Sequence, residues 1–195
     1  MRKQLLGAAV VSGALVIGIA SWSRAGDSPA KTPEVQGSQA KREADCCDTG
    51  KFTNPALTRI KALNGTWVKA DGSQKLVFKT TAAGSAVMET MFPGTQHEMV
   101  NLYAIDGEKS LMVTHYCAMG VQPRMKLVPS DDPKTMKFEF VDGGNIPSRD
   151  AAHMDSLTLT IDGDKLTEDW TYYQDGKTVS HTTFELQRQA EAKSS

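Results

Sequence analysis

The segment around His115 combines side chains that could coordinate a metal or carry out nucleophilic chemistry. His115 and Cys117 are two residues apart, so on a β-strand they would lie on one face, roughly 7 Å apart. Imidazole and thiolate groups ligate zinc or haem iron, and a cysteine beside a histidine base is a nucleophile. No second Cys-x-x-Cys or His-x-x-x-His motif accompanies the pair. A hydrogen-bonded histidine beside a small core cysteine is therefore the competing interpretation.

The cysteine count also favours another role for Cys117. The chain contains Cys46, Cys47 and Cys117, an odd number. Adjacent cysteines bridge each other only with strain, which predicts a disulfide between Cys117 and one of the other two. An intermolecular bridge, or a metal bound by all three sulfurs, stays open as an alternative.

Further polar side chains occupy positions that alternate with apolar ones. Charged groups inside a protein need a partner, or they hold the polar end of a ligand. This pattern predicts a set of polar ligand contacts, namely Glu89, His115, Arg124, Glu168 and Tyr172. A salt bridge from Glu89 or Glu168 to Arg124 is the structural alternative.

The elements that would position these side chains are short alternating segments separated by turn formers such as Asp71-Gly72, Asp162-Gly163 and Asp175-Gly176. This pattern predicts about ten strands, at 66–70, 74–81, 85–92, 97–105, 109–117, 123–129, 135–142, 154–161, 165–173 and 177–187. Before them, Asn54-Pro55 followed by helical apolar spacing predicts one short helix.

Short, local connections favour an all-β fold in which a single antiparallel up-and-down barrel hides its strand edges by closing on itself. A two-sheet sandwich is the competing architecture, but it requires some long crossovers. The predicted domain covers residues 53–188, and residues 189–195 form a predicted disordered tail.

The amino-terminal residues predict export. Arg2 and Lys3 precede an apolar run of about 16 residues, which is short for a transmembrane span, and Ser23 and Ala25 suit a signal peptidase. Residues 1–25 are therefore interpreted as a signal peptide, with an uncleaved anchor as the alternative. Residues 26–52, rich in Ser, Pro, Lys, Glu and Gly, are a predicted flexible tether. We expect a periplasmic or secreted protein without a transmembrane segment after cleavage.

Cleavage would leave 19 basic residues against 23 acidic ones, a net charge near −4. Such a balance lacks the basic footprint of a nucleic-acid-binding protein. No Ser-His-Asp arrangement, phosphate loop or zinc signature is identifiable either, so we expect a protein that is not an enzyme.

Two motifs resemble the calycins. The first strand begins with Gly65-Thr66-Trp67 and the last ends at Arg188. Calycins pack a first-strand Trp near a last-strand Arg or Lys, and Trp67 and Arg188 match those places. The segment 84–124, with Glu-Thr-Met-Phe-Pro-Gly at 89–94 and Thr-His-Tyr-Cys at 114–117, resembles uncharacterised exported bacterial proteins with a lipocalin-like domain. The resemblance covers residues 60–188.

This resemblance implies a barrel that binds a small hydrophobic or amphipathic molecule. Nitrobindin-like members bind haem instead, through an axial histidine late in the chain, where His181 stands without the matching motif. Three hypotheses follow: a small-molecule binding protein without a resident cofactor, a haem- or metal-binding barrel using His115 and Cys117, and an interaction module with a filled core. The oligomeric state is left undetermined.

Overall fold

The computed structural model describes residues 54–190. It consists of one short helix and ten strands, in agreement with the predicted all-β fold. Helix α1 spans Pro55–Lys61, and the strands are β1 Gly65–Val68, β2 Lys75–Thr81, β3 Ala86–Met91, β4 Met99–Ile105, β5 Leu111–Tyr116, β6 Gln122–Val128, β7 Thr135–Gly144, β8 His153–Asp162, β9 Lys165–Gln174 and β10 Lys177–Arg188.

Each strand pairs antiparallel with its sequence neighbour, and β10 pairs with β1 to close the barrel. The predicted up-and-down barrel of about ten strands is confirmed, and the sandwich is wrong. Turn chemistry supports this local order: Asp175 and Gly176, between β9 and β10, both have positive φ, as a type I′ hairpin turn requires. The predicted signal peptide, the tether up to residue 52 and the residues from 191 onward lie outside the described residues.

Helix α1 closes one end of the barrel. Leu57 and Ile60 on its inner face are buried in the core, together with Leu63 just after it. The side-chain oxygen of Asn54 caps the helix by accepting hydrogen bonds from the backbone N–H groups of Ala56 and Leu57 at 2.9 and 3.1 Å. Its amide nitrogen donates to the carbonyl of Ser110 at 3.0 Å, which ties the helix to the turn between β4 and β5.

The cap gives a first prediction. Asn54→Ala is expected to lower the free energy of unfolding by about 1–2 kcal/mol, because it removes both the cap and a hydrogen-bond donor to the partly buried carbonyl of Ser110. Asn54→Asp keeps the capping oxygen and loses only the donor to Ser110, so it should lose less stability. Urea unfolding of the three proteins checks this; equal loss in both variants would contradict the capping role.

Trp67 and Arg188 complete the same end of the barrel. They face each other across the pairing of β1 with β10, and the Arg188 guanidinium lies 4.3 Å from the centroid of the Trp67 ring. Arg188 also donates to the carbonyls of Ala62 and Asn64, each at 2.8 Å. The indole N–H of Trp67 donates to the carbonyl of Leu63 at 2.7 Å. The guanidinium thus satisfies carbonyls that follow α1.

Candidate functional site

A cluster of polar side chains lies inside the barrel, away from α1. Glu89 on β3, Asn101 on β4 and His115 on β5 are cross-strand partners in one row, and all three are buried. Glu168 on β9 reaches the cluster from the opposite wall and is also fully buried. Alternation places them inside: along β3, Val87, Glu89 and Met91 are all buried.

Hydrogen bonds define the role of Glu89. Its Oε2 accepts from the amide nitrogen of Asn101 and from the hydroxyl of Tyr103, both at 2.8 Å. Glu168 Oε2 accepts from the indole N–H of Trp170 at 3.0 Å. In each carboxyl group, Oε2 therefore accepts hydrogen bonds from neighbouring side chains. Oε1 accepts none from these neighbours.

The two buried carboxyl groups interact, and both hold their protons more strongly than exposed glutamates do. Burial raises the pKa of Glu89 to about 7, and burial together with the charge of Glu89 raises the pKa of Glu168 well above its usual value. Burial also raises the pKa of Tyr103, which keeps its phenol protonated as a donor.

The network fixes the tautomer of His115. Asn101 uses its amide nitrogen toward Glu89, so its oxygen accepts from Nδ1–H of His115 at 2.6 Å. Burial lowers the pKa of His115 to about 4, which leaves the ring neutral near pH 7. Nε2 therefore carries a lone pair, is buried, and has no hydrogen-bond partner among the described residues. A buried acceptor without a donor indicates a place for a water or a ligand group.

On one side of this cluster, few residue pairs join the strands of the barrel wall. Pairing between β1 and β10 involves only Trp67 with Arg188 and Val68 with Gln187. On the half of β10 without such pairing, Thr182 lies opposite the buried Trp170 and is nevertheless exposed. Residues 177–183 are all exposed. We call this exposed half of β10, where Ser180 and Thr182 continue the row of inward-facing residues, the lateral mouth.

Trp170 separates the lateral mouth from the polar cluster. Its ring lies 4.9 Å from the imidazole of His115, centroid to centroid, and its indole N–H bonds Glu168. Tyr172, two residues further along β9, is half-buried opposite Ser180 and donates to Gln174. A molecule entering through the mouth would therefore meet Tyr172 and Trp170 before the polar cluster.

Three of the five predicted ligand contacts, Glu89, His115 and Glu168, come together in the structure, and Tyr172 lies at the mouth. The prediction that Arg124 joins them is wrong. Arg124 lies between the buried Pro123 and Met125, so it points outward, and it pairs with Asp142 on the barrel surface. The alternative salt bridge to Glu89 or Glu168 is wrong for the same reason.

Cys117 lies outside the interior row. Strand β5 ends at Tyr116, and Cys117 begins the turn that leads to β6. Within residues 54–190, no three His, Cys, Asp or Glu side chains are grouped closely enough to hold a metal ion. Cys46 and Cys47 lie outside the described residues, so the disulfide stays a prediction.

Asn101 and Tyr103 are the members of the cluster that sequence reasoning missed. Both lie on β4, where they alternate with the outward positions, and both orient an acidic or imidazole group. The signal in the sequence was a pair of polar or amphipathic residues, two positions apart, inside a predicted strand. That signal is weak, because an asparagine in a strand is more often exposed.

Haem does not fit the cluster as it stands. A porphyrin iron bound to Nε2 of His115 would require an open face beside the imidazole, but the side chain is buried and Trp170 packs against it. His181, the late histidine considered as a haem ligand, is exposed on the outer face near Asp169. The described geometry suits a smaller group that approaches Nε2.

A groove of about 340 Å³ on the outer face of β7–β10 is a second concave region. Its charges are largely paired among themselves, as in Lys137 with Glu139 and Arg149 with Asp155. Arg149 also stacks on Tyr173, with its guanidinium carbon 3.8 Å from the ring centroid. These contacts hold the segment between β7 and β8 against the barrel surface.

Comparison with known proteins assigns no family to this chain. No family model and no curated protein matches the chain. A crystal structure of Rv2717c from M. tuberculosis is similar to it, with 18% sequence identity and a TM-score of 0.48; the match covers 70% of this chain and 98% of that one. The barrel assignment rests on the strand pairing itself. None of the described helices has the length and apolar character needed to cross a membrane.

Proposed function

We propose that the protein is an exported binding module that holds a small amphipathic molecule between the lateral mouth and the polar cluster. One observation carries the proposal: Nε2 of His115 is a buried, neutral acceptor that has no hydrogen-bond donor among residues 54–190. The bound molecule donates a hydrogen bond to this atom, and its apolar part lies against Trp170 and Tyr172. Glu89 and Asn101 orient the imidazole for this contact.

The proposal is supported by the unfavourable free energy of a buried acceptor that has no hydrogen-bond donor. A buried polar atom without a partner costs about 1–3 kcal/mol, and a ligand donor recovers part of it. Binding sites commonly combine an apolar lining with a few convergent polar groups, and the mouth and cluster have that composition.

The test uses 1-octanol as a model amphipathic donor, titrated calorimetrically into protein produced from the full coding sequence. His115→Asn can retain the bond to Asn101 but lacks an acceptor at Nε2, so we expect octanol affinity to fall roughly 3- to 10-fold. His115→Gln reaches the Nε2 position and should lose less. His97→Asn, on the exposed loop between β3 and β4, is the control.

Native mass spectrometry of the protein from its own compartment provides an independent check. A mass excess of a few hundred daltons would support the proposal and identify the molecule. Absence of octanol binding together with the bare mass would overturn it in favour of a filled interaction module. A Soret band would instead establish the haem hypothesis and require Trp170 to move.

A further inference from the structure

Strand β10 has a free edge along the lateral mouth. It is 12 residues long, whereas β1 has 4 residues, and the pairing of the two strands ends at Val68 with Gln187. On its other side, β10 pairs with β9 along almost its whole length. Most of β10 therefore has a hydrogen-bonded neighbour on one side alone.

Two backbone hydrogen bonds show which way the groups of β10 point. The N–H of Gln189 donates to the carbonyl of Thr66 on β1 at 2.8 Å, and the N–H of Arg188 donates to the carbonyl of Asp164, just before β9, at 2.9 Å. Successive residues of an antiparallel strand form hydrogen bonds alternately to its two sides. The odd-numbered residues therefore point their backbone groups away from β9, wherever the pairing with β9 is regular.

Three residues present unpaired backbone groups at this edge. The pairing of β10 with β9 is regular over residues 180–187. His181, Thr183 and Glu185 therefore point their N–H and C=O groups away from β9, beyond the reach of β1. Within the described part of the chain, no backbone hydrogen bond from a turn or loop reaches these three residues.

Residues 180–186 lack the usual protections of a free strand edge. Proteins commonly block such edges with proline, lysine, an inward-facing charge or a bulge. This segment contains neither proline nor lysine, and its inward-facing side chains, from Ser180 to Leu186, carry no charge. The bulge in β10 lies before Ser180. A row of unpaired backbone groups of this kind is a template for another strand.

We infer that a second copy of this chain binds at this edge, through antiparallel pairing of the two β10 strands around a two-fold axis at Thr183. In this register, Thr183 lies opposite the second copy's Thr183, and His181 lies opposite the second copy's Glu185. Two hydrogen bonds for each of three residue pairs give about six in all. A shift in either direction leaves one edge residue of each copy unpaired. This inference goes beyond the proposed function, because it uses no residue of the polar cluster.

Side chains on the outer face of β10 support this register. His181, Thr183 and Glu185 are all exposed there. Pairs of threonines and pairs of opposite charges are favourable across neighbouring strands, whereas like charges are unfavourable. The register brings two threonines together at the centre and places a carboxylate opposite each imidazole. Asp169 on β9, with Oδ1 3.8 Å from Nδ1 of His181, adds to the negative charge around that imidazole.

Sedimentation equilibrium of protein produced from the full coding sequence measures the dimer. Pairing through one strand of each copy is expected to be weak, so the loading concentrations extend from roughly 1 µM to 1 mM. A reducing buffer excludes dimers linked through cysteine. Amide hydrogen exchange followed by NMR gives a second measurement. The amides of His181, Thr183 and Glu185 should become more protected as the protein concentration rises.

Thr183→Pro is the decisive variant. The lost N–H points to the free edge, so the pairing of β10 with β9 should be retained, as it is for prolines on natural edge strands. The dimer loses two hydrogen bonds at its centre, so its dissociation constant should rise at least about 10-fold. Thr183→Ala keeps the backbone donor and is the matched control. Thr182→Pro removes an N–H that points to β9, so it should instead lower the thermal stability of the monomer.

Charge reversal tests the register without a change in the backbone. His181→Glu places like charges opposite each other at both ends of the pairing, so the dissociation constant should rise roughly 5- to 30-fold. Combining His181→Glu with Glu185→Lys restores opposite charges and should recover most of the parent affinity. A double variant that dimerises no better than His181→Glu would overturn the axis at Thr183.

A monomer at every concentration would overturn the inference, as would a dimer that Thr183→Pro leaves intact. Equal loss of thermal stability in the Thr182→Pro and Thr183→Pro proteins would show that the free edge is wrongly assigned. Protection of the three edge amides in a monomer would show that another segment covers the edge, and would overturn the second copy as its occupant.

Discussion

Replacement of Trp67 by alanine is expected to lower the free energy of unfolding by about 3–5 kcal/mol, the range for a large aromatic side chain removed from a core. Trp67 is fully buried at the α1 end of the barrel. The substitution also leaves the Leu63 carbonyl without its donor and the Arg188 guanidinium without the ring beneath it. Urea unfolding followed by circular dichroism measures the change.

Two variants divide this loss into its parts. Trp67→Phe keeps a ring under the guanidinium and loses the indole donor, so it should lose clearly less stability than alanine. Arg188→Met keeps much of the aliphatic packing and removes the three hydrogen bonds to Ala62, Asn64 and Asp164. If Trp67→Ala were as stable as the parent within 1 kcal/mol, roughly the lower bound for a lost core contact, the role of Trp67 in closing this end of the barrel would be wrong.

Stability is also expected to decrease as the pH rises from about 4.5 to about 6.5. The pKa values of Glu89 and Glu168 are raised above the ordinary 4.5, so the folded protein keeps protons that the unfolded chain has released. This stabilisation is complete below pH 4.5 and is lost as the pH rises through the folded pKa values. His115 acts oppositely, because its pKa falls from 6.5 to about 4.

In that window the folded form holds two carboxyl protons and the unfolded form holds one imidazole proton. The net difference of one proton corresponds to about 1.4 kcal/mol per pH unit, or roughly 2–3 kcal/mol over the window. The exposed Asp71, Asp132 and Asp142 have lowered pKa values and titrate below it.

Glu168→Gln provides the control for this pH dependence. It removes one of the two carboxyl protons, so the remaining contributions of Glu89 and His115 should nearly cancel and the free energy of unfolding should be almost flat between pH 4.5 and 6.5. Chemical denaturation at four or five pH values measures both proteins. Parallel curves for the parent and the variant would show that the carboxyl pair does not control stability.

Prediction of the strands from sequence succeeded because each strand is bounded by turn formers and has one buried face. The end of β5 and the outward direction of Arg124 were harder to predict. On β6 the residues around Arg124 are Pro123, Met125 and Lys126, and the pairing of β6 with β7 shifts register between Arg124 and Met125. A bulge changes which residues face inward, and its position depends on the neighbouring strand.

The interior site could be predicted only in part for a related reason. Glu89 and Glu168 stand out because charged residues are rare on apolar faces, but their contact joins β3 to β9 across the barrel. Sequence spacing says nothing about which side chains meet across an interior. The roles of Asn101 and Tyr103 likewise depend on the register of β3, β4 and β5.

The short seam between β1 and β10 has a kinetic consequence. Every other pairing in the barrel joins strands adjacent in sequence, so those contacts close small loops, whereas Trp67 and Arg188 meet only after the whole domain lies between them. Closing so long a loop is unfavourable in conformational entropy, and only two residue pairs form in exchange. The meander of hairpins should therefore assemble first, and the pairing of β1 with β10 should close the barrel last.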